Sequence, residues 1–190
     1  MKITLVRHGK PTAASNHRVG PAGFAQWVRA YNQSEIDAES RPPEHLRHQV
    51  RDSYIVSSDL TRARHSAQLC SGRHSDRVLR ELREMDIPRF KLPLTLSIQQ
   101  WLIVSRLCWF LGLSGNSEPL NLGRIRLKKA VDILAEQSST TPDITVFGHG
   151  LANRWIAKEL VRRGWKIQSQ TRGFWGTIEL LNVSGKTGNV

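Results

Sequence analysis

Three short runs of apolar and β-branched residues, KITLV (2–6), SYIVS (53–57) and DITVFG (143–148), each close on polar residues or glycine. That is the pattern of short buried strands. TIELLN (177–182) reads as a fourth strand and RVLR (77–80) as a weaker one. Between them the apolar positions recur at helical spacing. Residues 61–72 follow Ser58-Asp59, which reads as an N-cap. RIRLKKAVDILAEQ (124–137) puts Ile125, Ala130, Val131 and Leu134 on one face. LANRWIAKELVRRG (151–164) ends on a glycine stop, and GFAQWVRAYNQ (23–33) also reads as a helix. SEIDAESRPPEH (34–45) reads as a loop. Strand–helix alternation predicts a three-layer α/β/α sandwich, a mostly parallel sheet with helices on both faces.

The stretch WLIVSRLCWFLGLSG (101–115) needs separate weighing. It is shorter than the roughly 20 residues a membrane span requires, and Arg106 sits in its middle. A core-facing helix is the preferred reading, with an amphipathic helix on a membrane surface as the lesser one. No repeat, low-complexity tract or linker divides the chain, so one domain over residues 1–190 is expected. The least familiar patterning falls in residues 10–52 and 85–123, which are expected to determine substrate specificity.

Composition changes the picture little. A hydrophobic fraction of 39% suits a globular chain rather than a disordered one. The two cysteines, Cys70 and Cys108, form no CxxC pair, so a reducing, cytoplasmic setting is expected. Only four uncharged residues separate Lys2 from Arg7, too few for a secretory h-region.

Charge says more. The formal net charge is +12, and arginine supplies 20 of the 28 basic residues. Arginine's planar fork suits phosphate and carboxylate, so anionic partners are expected. The basic residues are dispersed, with no polybasic tail and no interleaved aromatics of a nucleic-acid module, so specific nucleic-acid binding is not expected.

In open α/β sheets ligands bind beyond the carboxyl ends of the strands. Arg7, His8 and Gly9 follow the first strand. Ser58, Asp59 and then Arg62 follow the second, and His149 and Gly150 follow the third. Glu81 and Glu84 lie near the weak strand. Each alone has a bland reading: a capping histidine, a glycine-rich turn, or Arg62 pairing with Asp59 on one helix face. Together they suit phosphoryl transfer through a phosphohistidine. A neutral imidazole is nucleophilic near pH 7. Two arginines and a second histidine can surround the phosphoryl oxygens. A carboxylic acid can protonate the departing oxygen.

The motifs LVRHGK, SSDLTRARHSA, LREMD and TVFGHG, taken in this order from residue 4 to about residue 150, resemble the histidine phosphatase (phosphoglycerate-mutase-like) superfamily. The resemblance nominates His8 as the phosphorylated residue. It implies that Arg7, Arg62 and His149, with Gly150, bind the phosphoryl group, and that Glu84 of Leu82-Arg83-Glu84 donates the proton. Glu81 and Asp86 are the alternatives for that acid. Three features depart from the family's pattern. Lys10-Pro11 follow RHG, the nearest asparagine is Asn16, and MDIPRF follows Glu84.

The implied reaction is metal-independent hydrolysis of a phosphomonoester on a small phosphorylated metabolite, the arginines neutralising charge that Mg²⁺ would otherwise screen. The expected cofactor set is therefore empty. The alternatives are a mutase-type phosphotransferase, a phosphohistidine or phosphoprotein phosphatase, and a non-catalytic anion- or phospholigand-binding protein. SGKTG (184–188) lacks the preceding glycine of a P-loop, and EHLRH (44–48) lacks the HExxH pattern of a zinc site.

Overall fold

Alternate side chains of the first strand enter different layers, and this sets the architecture. The structure, a computed structural model, describes residues 1–182. In chain order it contains β1 (Lys2–Arg7), β2 (Arg18–Val19), α1 (Pro21–Gln33), α2 (Glu44–Gln49), β3 (Tyr54–Ser58), α3 (Thr61–Ser71), β4 (Arg77–Leu79) and a 3-10 turn (Arg80–Leu82). There follow β5 (Leu96–Ser97), α4 (Ile98–Phe110), α5 (Leu120–Thr140), β6 (Asp143–Gly148), α6 (Gly150–Arg162), β7 (Trp165–Gln170) and β8 (Thr177–Asn182). SGKTG, weighed above as a P-loop, lies outside the described residues.

Ile3 and Leu5 of β1, Val56 of β3, and Ile144 and Val146 of β6 pack against Leu127, Val131 and Leu134 of α5 and Ile156 and Leu160 of α6. Their neighbours Val6, Ile55 and Phe147 point the other way, onto Leu46 of α2 and Ala67 and Cys70 of α3. The period-2 alternation of a strand thus produces two cores from one sheet. The sheet order is β4-β3-β6-β1-β8-β7. β1, β3, β4 and β6 run parallel, while β8 is antiparallel to β1 and β7 to β8. The chain is therefore an α/β protein with a mostly parallel sheet between helical layers.

Four of the strands predicted from sequence coincide closely with β1, β3, β6 and β8, and the weak fifth is β4. β7 was not legible: five of its six residues are exposed on the sheet edge, so WKIQSQ carries no alternation. The expected N-cap of α3 is corrected. Leu60 occupies that position with no side-chain cap. Asp59 instead accepts two bonds from Arg83, from Nε and Nη2, both at 2.7 Å. A bidentate charged pair outcompetes a single backbone amide. The same pair removes the reading in which Arg62 is merely a partner of Asp59.

A third cluster stands apart from the sheet. Phe24, Trp27 and Val28 of α1 pack on Ile98 and Trp101 of α4. α4 opens on a capping box in which the Ser97 hydroxyl accepts from the Gln100 amide and Gln100 returns the bond to the Ser97 amide. Its inward residues Ile98, Trp101, Ser105 and Trp109 are buried, while Ile103, Leu107 and Phe110 are exposed. The core-facing reading of residues 101–115 therefore holds for one face of the helix only. Among the described residues no helix is long and apolar enough to cross a membrane.

Leu134 sits in the first core with no exposed surface. Leu134→Ala is expected to cost about 2–5 kcal/mol of stability. Urea denaturation would show a lowered midpoint at unchanged slope.

Candidate active site

β1 ends at Arg7, between β6 and β8, and the next residue is held on every side. The His8 amide donates to the Gly148 carbonyl at 3.1 Å, and the His8 carbonyl accepts from the Trp175 amide at 3.4 Å. The Gly9 amide donates to Ser66 Oγ at 3.0 Å. Gly9 must be glycine for steric reasons: a Cβ there would lie 2.5 Å from the Trp175 ring and 3.0 Å from Ile36. Trp175 has φ 60°, the only non-glycine residue with a positive φ among the described residues. Its indole is anchored by a 3.1 Å bond to Ser40 Oγ.

The ring of His8 has one tautomer open to it. Nδ1 lies 2.7 Å from the Gly9 carbonyl, which can only accept. Nε2 lies 3.2 Å from Arg62 Nε, which can only donate. The proton is therefore on Nδ1, and the lone pair of Nε2 faces the arginine.

Arg62 is itself aimed by a helix end. Its Nη1 donates to the carbonyls of Tyr31 (3.1 Å) and Asn32 (3.5 Å) and to Asn32 Oδ1 (3.4 Å), at the C-terminus of α1. Unpaired terminal carbonyls attract a cation. The guanidinium also stacks on the Tyr31 ring, 4.9 Å from its centroid. Arg7 lies 4.5 Å over the Phe174 ring, and its buried Nε has no partner.

His149 is the N-cap residue of α6 and has no exposed surface. Its ring is 5.2 Å from that of His8. Nε2 pairs with Ser58 Oγ at 3.0 Å, and Nδ1 is buried without a partner. Glu84 faces the same helix start. Its two oxygens accept from the amides of Leu151 (3.1 Å) and Ala152 (2.9 Å), so the first turn of α6 fixes the carboxylate.

A cavity of about 980 Å³ opens on these groups. Arg7, His8, Arg62, Glu84 and Gly150 line it, and His149 does not. Asp86 also lines it; Glu81 does not. The walls come from α1, with Trp27 and Tyr31, and from α4, with Ile98, Leu102 and Arg106.

No curated protein matches the chain. The model of the histidine phosphatase superfamily (branch 1) matches residues 3–173. The chain belongs to the histidine phosphatase superfamily.

Solved structures agree on the fold. The product of an open reading frame of Mycobacterium tuberculosis superposes with a TM-score of 0.60 at 20% identity, over 85% of this chain and 80% of the other. Phosphoserine phosphatase of Entamoeba histolytica, solved with 3-phosphoglyceric acid, gives 0.57 at 16% identity over 94% and 89%. A mycobacterial glucosyl-3-phosphoglycerate phosphatase, solved with inorganic phosphate, gives 0.53 at 19% over 85% and 79%.

Several members of this candidate site carried no sequence signal of their own. Tyr31, Asn32, Phe174 and Trp175 touch the nominated residues directly, yet they sit in no ordered motif and arrive by folding, from α1 and from the 171–176 turn. Ser58 and Ser66 lie within SSDLTRARHSA, and only Ser58 was singled out there, as the polar residue closing a strand.

Burial foremost, then Arg62 and Arg7, pushes the pKa of His8 down to about 3, against the single opposing bond to Gly9. Burial, then Arg62, pushes His149 well below its ordinary value. Both rings are neutral in the folded chain near pH 7, whereas the unfolded chain titrates them near pH 6.5. Below that pH, and down to the folded values, the unfolded state binds more protons, so stability falls as pH falls. Each histidine adds a slope approaching about 1.4 kcal/mol per pH unit. His8→Asn is expected to flatten the loss of stability between about pH 6 and about pH 4 by roughly one proton. Urea titrations across that range measure it.

Proposed function

We propose that this chain is a metal-independent phosphomonoester hydrolase that works through a phosphohistidine on His8. One observation carries the reading: Nδ1–H of His8 is committed to the Gly9 carbonyl, which leaves the Nε2 lone pair for attack. The depressed pKa keeps that lone pair unprotonated at neutral pH. In the free chain Arg62 Nε occupies it; a phosphoryl group would draw the guanidinium onto its oxygens and release Nε2 for in-line attack.

Arg7 and Arg62 take the non-bridging oxygens. His149 does not line the cavity, but its ring lies 5.2 Å from that of His8 and its Nδ1 is without a partner, so a phosphoryl group seated deep against His8 is what would bring it into use. Gly150 lines the cavity beside the Arg7 side chain, at the start of α6. As Nε2 bonds to phosphorus, the ester oxygen departs with a proton from Glu84. The resulting carboxylate then takes a proton from water, whose oxygen attacks phosphorus and expels Nε2. Glu84 is favoured over Glu81, which does not line the cavity, and over Asp86, which lines it but lies outside the Leu82-Arg83-Glu84 motif.

The phosphoryl group of a small metabolite fills a fraction of the cavity. Residues 10–52 and 85–123 supply α1 and α4, and so choose the remainder of the substrate.

Turnover of p-nitrophenyl phosphate is expected to persist in EDTA. His8→Ala should lose it to background, and Glu84→Gln should lose about 10²–10⁴-fold. Acid-quenched wild type given labelled substrate should carry acid-labile phosphate, absent in His8→Ala. A folded wild type that turns over no phosphomonoester in a metabolite panel would overturn the reading. A second test concerns aim rather than chemistry. Asn32→Ala removes one acceptor of Arg62 and is expected to lower kcat by up to about tenfold with the fold unchanged.

A further inference from the structure

We propose that the outward face of α4, together with the start of α5, is a docking surface for an anionic lipid bilayer. The proposal does not rest on the hydrolase reading. α4 is apolar on both faces, but the described residues cover only one of them. Ile103, Leu107 and Phe110, at helical spacing on the other, are about half exposed or more. Leu111 and Leu113 continue the patch past the helix end, at 81% and 57% exposure. Leu122 and Ile125, in the first turns of α5, are also more than half exposed, so Ile125 does not share the buried face of Ala130, Val131 and Leu134 on which the sequence pattern placed it; Leu127 takes that place. Isolated exposed apolar residues are ordinary, but seven within 23 residues, five of them along α4 and just past its end, exceed that background.

Charge selects the partner. No acidic residue occurs between Asp86 and Glu118. Residues 87–131 carry seven basic residues and one acidic residue, so this quarter of the chain holds +6 of the net +12. Lys91, Arg124, Lys128 and Lys129 are exposed, and Lys129 shares a helix face with Leu122 and Ile125. The single acid, Glu118, is occupied by Arg126 at 2.6 Å. Apolar residues set among uncompensated cations complement acyl chains beneath anionic headgroups. A second copy would bring +6 against +6, which disfavours self-association.

α4 has 13 residues, about 20 Å of helix, and so lies in the interface rather than spanning it. Through Ile98, Leu102 and Arg106 the same helix lines the catalytic cavity, so a docked chain would hold that cavity beside the membrane surface.

Co-sedimentation of the full chain with vesicles tests this. Wild type is expected to pellet with phosphatidylcholine–phosphatidylglycerol vesicles, weakly or not at all with phosphatidylcholine alone, and less as salt rises. Leu107→Ser/Phe110→Ser should weaken partitioning by at least ~tenfold, and Lys128→Gln/Lys129→Gln by roughly fivefold per cation. Thermal melting followed by circular dichroism checks that both variants fold. Three outcomes overturn the proposal. Wild type binds neither vesicle; or both folded variants bind as wild type does; or the chain forms a concentration-dependent dimer that Leu107→Ser/Phe110→Ser abolishes, in which case the face closes on a second copy.

Discussion

One hydrogen bond, from His8 Nδ1 to the carbonyl of the next residue, decides which nitrogen of the ring is available to the cavity. That bond needs the His8–Gly9 backbone held still. The backbone is held because β1 lies between β6 and β8 and because Gly148, Ser66 and Trp175 bond it on three sides. The two sheet cores are what keep β1 there. Burial of the ring, which suppresses its protonation, follows from the same position.

Around this point the molecule uses helix ends as electrostatic tools. The C-terminus of α1 presents carbonyls to a cation, Arg62, and the N-terminus of α6 presents amides to an anion, Glu84. The charge on each side chain matches the partial charge of the helix end that orients it. Neither arginine facing His8 is neutralised by a carboxylate ion pair among the described residues, whereas Arg83 and Arg126 are each fixed by one. The cavity floor is thus left positive, and Arg80, Arg106 and Arg154 on its walls add to that charge.

The strands were legible because burial on both faces writes apolar runs that end sharply, and the nominated residues stand at those ends. The family was legible for the same reason, since RHG, the Arg62 helix, Leu82-Arg83-Glu84 and GHG are local in sequence. What aims these residues was not legible. Tyr31 and Asn32 meet Arg62 partly through carbonyls, which any residue could supply, and partly through the Tyr31 ring and Asn32 Oδ1, which lie about thirty residues before it in no local motif. β7 was silent because an exposed edge strand needs no apolar alternation. The expected cap at Ser58-Asp59 failed because Arg83, distant in sequence, claims Asp59.

The α1–α4 cluster shares no residue with either sheet core. Substitutions in groups that do not touch combine almost additively. Apart from Tyr31, which packs on this cluster and also holds Arg62, the wall can therefore drift, one aromatic or aliphatic residue at a time, without disturbing the strand ends to which the chemistry is assigned. Such a division lets one reactive centre be inherited intact while its substrates are exchanged. It also makes the inner side of α4 the place where close relatives of this chain should differ most in what they accept.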